Sequence, residues 1–568
     1  MNFKPFYKNR RKTVREIDEI YPEDILIDSQ NLPSFYSPNL EGKVEKTISK
    51  NAGYILIGAI IIFFSLFCWR LFDLQITNGD WYKEKSLLNQ LRFSLIFTKR
   101  GAILDRNNLV IAENESNKDL PYMERKYRNT KGIGNILGFI KYPQVDKNGF
   151  FYQTELKGID GIEKAFDKEL GGENGVKIVE VDSKNKIQSE STTKNPIDGK
   201  DVKLSLDYEL SKKLYDIMES LSEEKGFGGG VGALMDTETG EIIALSSFPD
   251  YSPQIVTDGK NANLIKQYSE DSRKPYLNKA VDGLYTPGSI VKPFLATGVL
   301  NEQLIDPLKT ILSTGSISIP NEYDPEKKSV FTDWKAHGEV DMRKALAVSS
   351  NVYFYEVGGG FENQKGLGID GIERYLRLYG FGGEIDDVFL KGQKGIIPNP
   401  MWKEQNFDGD PWRIGDTYNT SIGQYGLQVT PIQVVKAMSA IANNGKIVEP
   451  TIIFQDGNSH IKSYSTGIPE KYYQIVREGM RMAVEEGTAS GLDIPQVKIA
   501  AKTGTAEIGT TKKYVNSWVM GFFPYEKPKY VFTALMEKGP RENTVGGLYV
   551  MRQFIEWLAV YHPEYIKI

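Results

Sequence analysis

Three short motifs could together supply a nucleophile, a base and an anion-binding group. The first is Pro287-Gly288-Ser289-Ile290-Val291-Lys292-Pro293-Phe294, which leads into an apolar helical run. If Ser289 opens a helix, Lys292 lies one turn further on the same face, so its amine can reach the serine hydroxyl. The free N–H groups and the positive dipole end of such a helix would face an oxyanion formed beside that hydroxyl. The motif therefore predicts that Ser289 is a nucleophile activated by Lys292.

The bare Ser-x-x-Lys spacing is common, so its surroundings have to distinguish a site from solvated surface. Only Ser289 follows a Pro-Gly pair and precedes an apolar helical run. The other pairs have polar neighbours that favour exposed surface, and they are Ser183/Lys186, Ser191/Lys194, Ser222/Lys225 and Ser459/Lys462.

The second motif is Ser349-Ser350-Asn351, which follows the helical pattern Val340–Val348. Alternate residues at a helix end project together, so Ser349 could relay a proton while the Asn351 amide holds a substrate peptide group. A helix-capping pair is the alternative, and an isolated Ser-x-Asn favours it. Ser37-Pro38-Asn39 shows how readily the pattern occurs.

The third motif, Lys502-Thr503-Gly504-Thr505, is the only Lys-Thr-Gly of the chain and follows the apolar run Val497–Ala501. A lysine and hydroxyl groups on an edge strand suit a carboxylate. Gly504 would leave room for a substrate backbone alongside the strand. An ordinary strand exit is the alternative interpretation. Three such motifs in this order, each in a suitable local context, together predict an active site.

Composition narrows the chemistry that this site could use. The 568 residues suggest roughly three to four domains. With 70 Lys and Arg against 74 Asp and Glu, the net charge is −4, so nucleic acid is not an expected partner. The single cysteine, Cys68, excludes an internal disulfide and a cysteine-based zinc cluster. Only three histidines are present, scattered at His337, His460 and His562, which makes lysine a likelier base than a histidine relay. We expect no cofactor and no metal.

A membrane anchor precedes the motifs. The eighteen residues Ala52–Trp69 include no charged residue. This length is close to the minimum for a helix that crosses a bilayer. A buried soluble helix would usually carry a polar stripe, and a cleaved signal peptide would need a small-residue cleavage site that is absent. We therefore predict a tail over residues 1–51, poorly ordered, and a retained transmembrane helix over 52–75. The basic cluster Lys8–Lys12 favours a cytoplasmic N-terminus, a single-pass inner-membrane topology and an extracytoplasmic catalytic domain.

The remaining chain predicts an α+β fold in two parts. Residues 76–200 read as a small, mostly extended pedestal, with a helix over Gly158–Leu170, a strand over Val176–Val181 and a polar connector over 183–200. In residues 201–568, the apolar runs Gly230–Met235 and Glu241–Ser247 predict a hairpin. The other predicted elements of this part are helices over Leu206–Lys225 and Gly547–Tyr561 and strands over Val497–Lys502, Ser517–Phe523 and Tyr530–Glu537. Strands at both ends and helices between them predict one antiparallel sheet, flanked by helices, with an inserted helical region.

The motif set resembles that of penicillin-binding proteins and serine β-lactamases. More closely, the chain resembles the class B penicillin-binding proteins of the elongation type over residues 53–555. Besides the three motifs, the likeness rests on Arg100-Gly101 through Asp105-Arg106, Gly158–Glu163, Asp333-Trp334-Lys335-x-His337-Gly338, Tyr353-Phe354-Tyr355, Gly415-Asp416-Thr417 and Ser421–Gln424. It implies a pedestal of the dimerisation type below a transpeptidase domain. The stretch before Gly158 is shorter than in the family, which implies a reduced head, and the tail is longer.

The resemblance implies a role for each motif residue. Ser289 would attack the penultimate D-Ala carbonyl of a peptidoglycan stem peptide while Lys292 takes its proton. Ser349 would pass a proton to the departing D-Ala, and Asn351 would hold Lys292 and the substrate backbone. Lys502, Thr503 and Thr505 would receive the terminal carboxylate beside Gly504. The backbone N–H groups of Ser289 and Thr505 would form the oxyanion hole.

The resulting hypothesis is a D,D-transpeptidase that crosslinks stem peptides during wall elongation and is acylated by β-lactams. No glycosyltransferase module is apparent, so a RodA-type membrane glycosyltransferase and the elongation machinery are the partners that the resemblance implies. A β-lactam-hydrolysing or sensing protein is one alternative, although no glutamate is evident as a base for deacylating water. A non-catalytic scaffold is the other, and the intact Lys292 and Lys502 disfavour it.

Overall fold

The computed structural model of the protein describes residues 50–128, 130–147, 151–181, 187–321, 324, 326–457, 461–509, 512–543 and 545–567. The chain divides into two compact units, residues 1–91 and 92–568. The tail predicted over 1–51 lies outside the described residues, except for Lys50 and Asn51, which begin a helix. The domain boundaries expected at 75/76 and 200/201 stay predictions.

The first unit carries the apolar helix. It consists of α1 (Lys50–Phe72), a π-helical turn (Asp73–Thr77) and α2 (Gly79–Gln90). Asn51–Thr77 is long and apolar enough to cross a membrane, and none of its apolar window is buried against protein. Among the described residues it is the one helix with these properties. Since apolar side chains that meet no protein need a hydrocarbon environment, a single membrane-spanning helix fits the predicted span over 52–75.

The stretch that follows is mostly extended, with short helices. Its strands are β1 (Leu91–Ile96), β2 (Ile103–Leu104), β3 (Val110–Glu115), β4 (Glu124–Tyr127), β5 (Ile140–Lys141), β6 (Gln144–Val145), β7 (Phe151–Gln153), β8 (Lys157–Gly158), β9 (Gly175–Val181), β10 (Ile187–Lys194) and β11 (Val202–Lys203). Its helices are α3 (Gly134–Leu137), α4 (Gly161–Ala165) and α5 (Asp167–Gly171). The larger sheets have the strand orders β1-β9-β10 and β11-β2-β3-β4.

A buried ionic cluster holds this small module together. The Glu163 carboxylate forms ion pairs with Arg100 Nε at 2.6 Å and with Arg125 Nε at 2.8 Å, and all three side chains are fully or almost fully buried. Replacing Glu163 by a neutral residue would leave the buried Arg125 without a counter-charge, which typically costs about 3–5 kcal/mol. Two of the segments that carry the family resemblance, Arg100-Gly101 and Gly158–Glu163, therefore meet in this cluster.

Two predictions for the module were wrong in detail. The helix expected over Gly158–Leu170 is two short helices, because Phe166 ends α4 outside helical geometry. The polar connector expected over 183–200 contains the strand β10, which pairs antiparallel with β9. Every residue of β10 is exposed. A strand that no second layer covers needs no apolar alternation, so its sequence gave no periodic signal.

The main domain contains the remaining elements. Its strands are β12 (Gly229–Asp236), β13 (Ile242–Phe248), β14 (Ile311–Ser313), β15 (Ser316–Pro320), β16 (Lys328–Thr332), β17 (Gly338–Val340), β18 (Lys446–Val448), β19 (Ser463–Ser465), β20 (Ala500–Ile508), β21 (Tyr514–Phe523) and β22 (Tyr530–Pro540). Its helices are α6 (Tyr208–Lys225), α7 (Pro253–Asp258), α8 (Ala262–Glu270), α9 (Lys292–Asn301), α10 (Met342–Ala347), α11 (Asn351–Gly359), α12 (Gly368–Leu378), α13 (Pro400–Asn406), α14 (Ile414–Ser421), α15 (Pro431–Ala442), α16 (Glu470–Glu485) and α17 (Gly547–Tyr561). Short 3-10 turns cover Gly288–Val291, Ser490–Leu492 and Pro563–Tyr565.

One five-stranded antiparallel sheet organises this domain, in the order β13-β12-β22-β21-β20. α6 and α17 cover one face, and α15 packs on the other. Because both faces are covered, β12, β13 and most of β22 are buried throughout, which explains their near-continuous apolar runs. The predicted hairpin, the antiparallel sheet built from both ends of the domain and the inserted helical region are confirmed.

The strand that carries the third motif differs from its predicted position. The expected strand was Val497–Lys502, whereas β20 begins at Ala500 and continues to Ile508. Lys502-Thr503-Gly504-Thr505 therefore lies within the strand rather than at its end. β20 is an edge strand, paired on one side with β21, and its residues alternate between buried and more exposed positions over 502–506. That alternation hid the strand from a search for apolar runs.

Candidate active site

The Ser289 hydroxyl lies on a tight turn at the start of α9. Gly288 has φ 58°, a left-handed value that favours glycine, and a Cβ there would come within 2.8 Å of the Thr505 carbonyl oxygen. The Gly288 N–H donates to the Gly423 carbonyl at 2.9 Å. Ser289 itself is half-buried between fully buried neighbours, and its hydroxyl has no hydrogen-bond partner in the described part of the chain. The turn thus presents an accessible hydroxyl beside β20.

Lys292 lies one turn further and is completely buried. Its Nζ donates to Asn351 Oδ1 at 2.7 Å and to the Ser349 carbonyl at 2.9 Å, and it lies 5.4 Å from the centre of the Phe354 ring. Burial lowers the pKa of the Lys292 amine to about 7, while the negative charge of Asp333 acts in the opposite direction. A hydrogen bond from Lys292 to Ser289 is absent among the described residues. A buried amine needs acceptors, and the second motif supplies them.

Ser349 occupies a strained position between α10 and α11. The Ser350 N–H donates to the Ala345 carbonyl at 3.0 Å, which is the hydrogen bond of a helix ending in a left-handed residue. That residue is Ser349, with φ 57°, an uncommon value for a side chain other than glycine. Its hydroxyl accepts a hydrogen bond from Lys502 Nζ at 2.8 Å and lies 3.5 Å from Lys292 Nζ. Strain of this kind concentrates at functional sites.

Lys502 reaches the same hydroxyl from β20. Its side chain is fully buried, and Nζ also donates to the Thr503 carbonyl at 2.8 Å. Burial, followed by the nearby charge of Lys292, lowers the pKa of Lys502 well below its usual value. Thr503 is half-buried and Thr505 is exposed, so the two hydroxyl groups lie on the more open side of the strand. The structure thus brings all three predicted motifs together.

Gly504 has a different surrounding from the one expected. The sequence predicted that a substrate backbone would lie beside Gly504. A Cβ at Gly504 would instead lie 2.8 Å from the Pro287 carbonyl oxygen and 2.9 Å from Ile290 Cγ2. The absent side chain therefore lets the Ser289 turn approach β20 closely, and contact between Gly504 and substrate stays a prediction.

Two residues of the site were missed or given no role by the sequence. Thr488 Oγ1 accepts a hydrogen bond from Thr503 Oγ1 at 2.8 Å, which fixes one hydroxyl of the third motif. No local pattern marks Thr488, because it faces Thr503 only through the packing of its loop against β20. Asp333 belongs to a segment that carries the family resemblance, and its Oδ2 accepts hydrogen bonds from the Asn351 N–H at 2.7 Å and the Val352 N–H at 3.0 Å.

The arrangement suits acyl transfer by a serine. The half-buried Ser289 lies one helical turn from Lys292, burial lowers the pKa of both the Lys292 and the Lys502 amine, and the Ser349 hydroxyl lies between those amines. Within the described ranges, no group of three or more His, Cys, Asp or Glu side chains could hold a metal ion.

Comparisons with known proteins agree with this geometry. The family model for the penicillin binding protein transpeptidase domain matches residues 230–551, and the model for the penicillin-binding protein dimerisation domain matches residues 121–204. The peptidoglycan D,D-transpeptidase MrdA of Acinetobacter baumannii strain ATCC 19606 is 27% identical, over 87% of this chain and 86% of the relative.

Solved structures show the same likeness. Penicillin-binding protein 2 of Helicobacter pylori, solved in complex with MreC, is 25% identical with a TM-score of 0.70, over 83% of this chain and 100% of that chain. A chain solved for the structural coordination of polymerization and crosslinking by a peptidoglycan synthase complex is 25% identical with a TM-score of 0.68, over 90% of this chain and 98% of that chain. One similar protein thus forms a complex with MreC, and another belongs to a peptidoglycan synthase complex.

The matched regions coincide with the parts that build the site. The transpeptidase model spans more than half of the chain and runs from β12 to the first turns of α17, so it includes the Ser289 turn, the Ser349 turn and β20. The dimerisation model falls on the extended module that precedes them. With both regions present in this order, the chain belongs to the penicillin-binding protein transpeptidases, as a class B protein of the penicillin-binding protein 2 or MrdA type.

Proposed function

We propose that the chain is a peptidoglycan D,D-transpeptidase in which Ser289 forms an acyl-enzyme with a stem peptide. The observation that carries the proposal is the convergence of three segments, distant in sequence, on one hydroxyl. Lys292 Nζ and Lys502 Nζ lie 3.5 Å and 2.8 Å from Ser349 Oγ, beside the accessible Ser289. No other buried lysine pair of this kind appears in the described parts of the chain.

In the acylation step, Ser289 Oγ attacks the carbonyl carbon of the penultimate D-Ala and gives its proton to the neutral Lys292 amine. The bond between the two D-Ala residues then breaks, and the departing amine takes a proton by way of the Ser349 hydroxyl. In the second step, an amine of a neighbouring stem peptide attacks the ester, loses a proton and restores the Ser289 hydroxyl. The two stem peptides are then joined by a new amide bond.

The third motif suits the substrate's terminal carboxylate. The exposed Thr505 hydroxyl can donate to it, and the Thr503 hydroxyl can do so by giving up its hydrogen bond to Thr488. The Lys502 amine lies on the same strand, where it donates to the Thr503 carbonyl. A bound carboxylate would favour the charged form of Lys502, because opposite charges in a desolvated cleft attract strongly. The Ser289 turn lies against Thr505, since a Cβ placed on Gly288 would come within 2.8 Å of the Thr505 carbonyl oxygen. The N–H groups of Ser289 and Thr505 are therefore suitable donors for the oxyanion.

Localisation and partners complete the proposal. The basic residues before the span favour a cytoplasmic N-terminus, and the catalytic domain then lies outside the inner membrane, where the stem peptides are. A RodA-type membrane glycosyltransferase would supply the glycan strands, within the elongation machinery. The elongation-type relatives support wall elongation and cell shape as the process.

Labelling with a fluorescent penicillin tests the proposal. Membranes that contain the full chain should show one covalently labelled band, and peptide mapping should find the adduct on Ser289. Ser289→Ala should abolish the label. Ser191→Ala is the matched control, since Ser191 and Lys194 have the same spacing on the exposed strand β10. Label that survives Ser289→Ala would overturn the proposal.

Crosslinking distinguishes a transpeptidase from a protein that only binds penicillin. The purified full chain, a membrane glycosyltransferase and a lipid-linked precursor should together yield peptide-crosslinked glycan. Ser289→Ala should give glycan without crosslinks. Rapid turnover of the antibiotic in place of a stable acyl-enzyme would point to a β-lactam-hydrolysing protein instead.

A further inference from the structure

Asp333 holds the turn that carries the second motif. It follows β16, and its carboxylate is completely buried. Oδ2 accepts hydrogen bonds from Ser350 Oγ at 2.9 Å, from the Asn351 N–H at 2.7 Å and from the Val352 N–H at 3.0 Å. Burying a carboxylate is costly unless donors compensate for the lost water. These three donors all belong to the turn from α10 to α11.

The turn between α10 and α11 also positions the Lys292 side chain. The Lys292 amine donates to Asn351 Oδ1 and to the Ser349 carbonyl, so both of its acceptors belong to the segment that Asp333 fixes. Ser349 has a positive φ, and such a backbone persists only where its surroundings enforce it. Loosening the hydrogen bonds of Asp333 would therefore displace the acceptors of Lys292 and the hydroxyl that it shares with Lys502.

The charge of Asp333 also acts on the Lys292 amine. Several groups surround Lys292. The Phe354 ring lies against it, and Lys502 reaches the Ser349 hydroxyl from β20. On the other side of Asp333, the His337 imidazole lies 3.7 Å from Oδ1, and burial lowers its pKa, which favours the neutral form. Lys335 lies over the Trp334 ring, and Tyr355 contacts the same region through its bond to the Thr332 carbonyl. Asp333 is the carboxylate that favours the protonated form of Lys292.

We propose that Asp333 is a positioning residue of the transpeptidase site, which fixes the Ser349–Asn351 turn and supplies the counter-charge of Lys292. The inference rests on the proposed function, since it concerns the base of that reaction. No hydrogen bond joins Asp333 to Ser289 among the described residues, and Asp333 does not contact the substrate in the proposed reaction. It acts through Asn351 and Ser349, by keeping the Lys292 amine in place and by keeping it basic enough to accept the proton of Ser289.

The test is the pH dependence of acylation in the full-length protein. The rate of labelling by a fluorescent penicillin should rise with pH as Lys292 loses its proton. Asp333→Asn removes the counter-charge and retains the shape, so the pKa of Lys292 should fall. The acidic limb of the profile should then move to lower pH by about one unit. The limiting rate should fall several-fold, because a weaker base accepts the proton less readily.

Asp341→Asn is the matched control. Asp341 caps the neighbouring helix α10 through the Lys344 N–H at 2.8 Å, and it has no hydrogen bond to the Ser349–Asn351 turn within the described residues. This variant should keep the profile of the unaltered protein. If Asp333 were only a structural cap, Asp333→Asn would reduce the yield of active protein and leave the pH of the limb unchanged, and that result would overturn the inference.

Two further variants cover the case in which Asp333→Asn does not fold. Asp333→Glu keeps the charge and displaces the oxygens, and Ser350→Ala removes one donor and keeps the charge. Both should label several-fold more slowly with the limb at its original pH, and original rates in both would overturn the inference. Failure of the proposed function can be distinguished from failure of this inference. If the proposed function is wrong, label persists in Ser289→Ala. If only the positioning role is wrong, the adduct lies on Ser289 and the pH profile of Asp333→Asn is unaltered.

Discussion

The Ser349 hydroxyl connects the two lysines of the site, and its hydrogen-bonding capacity limits their protonation. A hydroxyl has one proton and two acceptor positions, so it can accept from both amines or donate to one of them. Two ammonium groups sharing it within a buried cleft would repel each other, and burial disfavours both charges. The unliganded site therefore favours at least one neutral amine, which is the state that a base requires.

The pH dependence of the unaltered protein follows from the pKa of Lys292. Acylation requires a neutral Lys292, and the pKa of its amine is about 7. The rate should therefore rise through pH 7 and fall about tenfold per unit on the acidic side. Lys292→Arg should lose the reaction, because a guanidinium does not deprotonate in proteins. Penicillin labelling across pH 5 to 9 measures this, with Lys344→Arg on the surface of α10 as control. A flat profile would contradict the assignment of the base.

Gly504→Ala should separate close packing from catalysis. The new Cβ would meet the Pro287 carbonyl and Ile290 at less than 3.0 Å, and both belong to the Ser289 turn. Since that backbone must move, we expect at least a tenfold loss of labelling rate, as misplacement of a reacting group by about 1 Å commonly costs far more. Gly171→Ala is the control, because its Cβ would meet only Arg100 Nη1 at 3.6 Å. An unaltered rate in Gly504→Ala would show that β20 and the turn adjust freely.

The motif residues could be predicted from the sequence, whereas the residues that support them could not. Ser289, Lys292 and Lys502 lie in recognisable local patterns, and local chemistry decides which of their atoms can react. Asp333 and Thr488 act on residues that the fold brings to them, Asp333 on the start of α11 and Thr488 on Thr503. Hydrogen bonds of this kind depend on tertiary packing, which no spacing within the motifs records.

At the scale of elements, apolar patterns identified the covered strands, missed the exposed strand β10 and predicted only the first part of β20. β12, β13, β21 and β22 are buried and were predicted close to their observed bounds. β10 is fully exposed and β20 alternates, so neither has a long apolar run. The active-site strand belongs to the second group, because an edge strand that receives substrate must keep one side open.

The short helix α3 depends on a carboxylate from the main domain. Asp250 accepts hydrogen bonds from the Gly134 N–H at 2.6 Å, the Asn135 N–H at 2.9 Å and Asn135 Nδ2 at 2.8 Å. Gly134 and Asn135 are buried, so Asp250→Ala would leave their donors unpaired, at a cost of about 1–3 kcal/mol. Thermal unfolding of the detergent-solubilised chain should show a lower midpoint.

Asn261→Ala provides the comparison for Asp250. Asn261 caps the helix α8 at an exposed position, through the Leu264 N–H at 3.1 Å. Loss of such a cap costs about 1 kcal/mol or less. Equal effects of the two substitutions would mean that Asp250 contributes no more than a surface cap, and that the extended module is joined to the main domain by other contacts.

At the scale of the whole molecule, the proposed function requires the catalytic domain to face the wall side of the membrane. Stem peptides are assembled into wall outside the inner membrane, so a domain on the cytoplasmic side would never meet them. The apolar helix α1 follows a basic N-terminal segment, and positive charge is retained preferentially on the cytoplasmic side. Labelling from one side of the membrane measures this orientation directly.

The single cysteine makes that measurement simple. Cys68 lies within the apolar helix, and Cys68→Ser leaves the chain without a thiol. In that background, Ser189→Cys places a thiol on the exposed strand β10, while Ser34→Cys places one in the segment before the span. On intact spheroplasts, a membrane-impermeant maleimide should label Ser189→Cys and spare Ser34→Cys until the membrane is permeabilised. The reverse pattern would place the Ser289 site in the cytoplasm, where lateral wall cannot be crosslinked, and would therefore refute the proposed function even if penicillin still acylated Ser289 in solution.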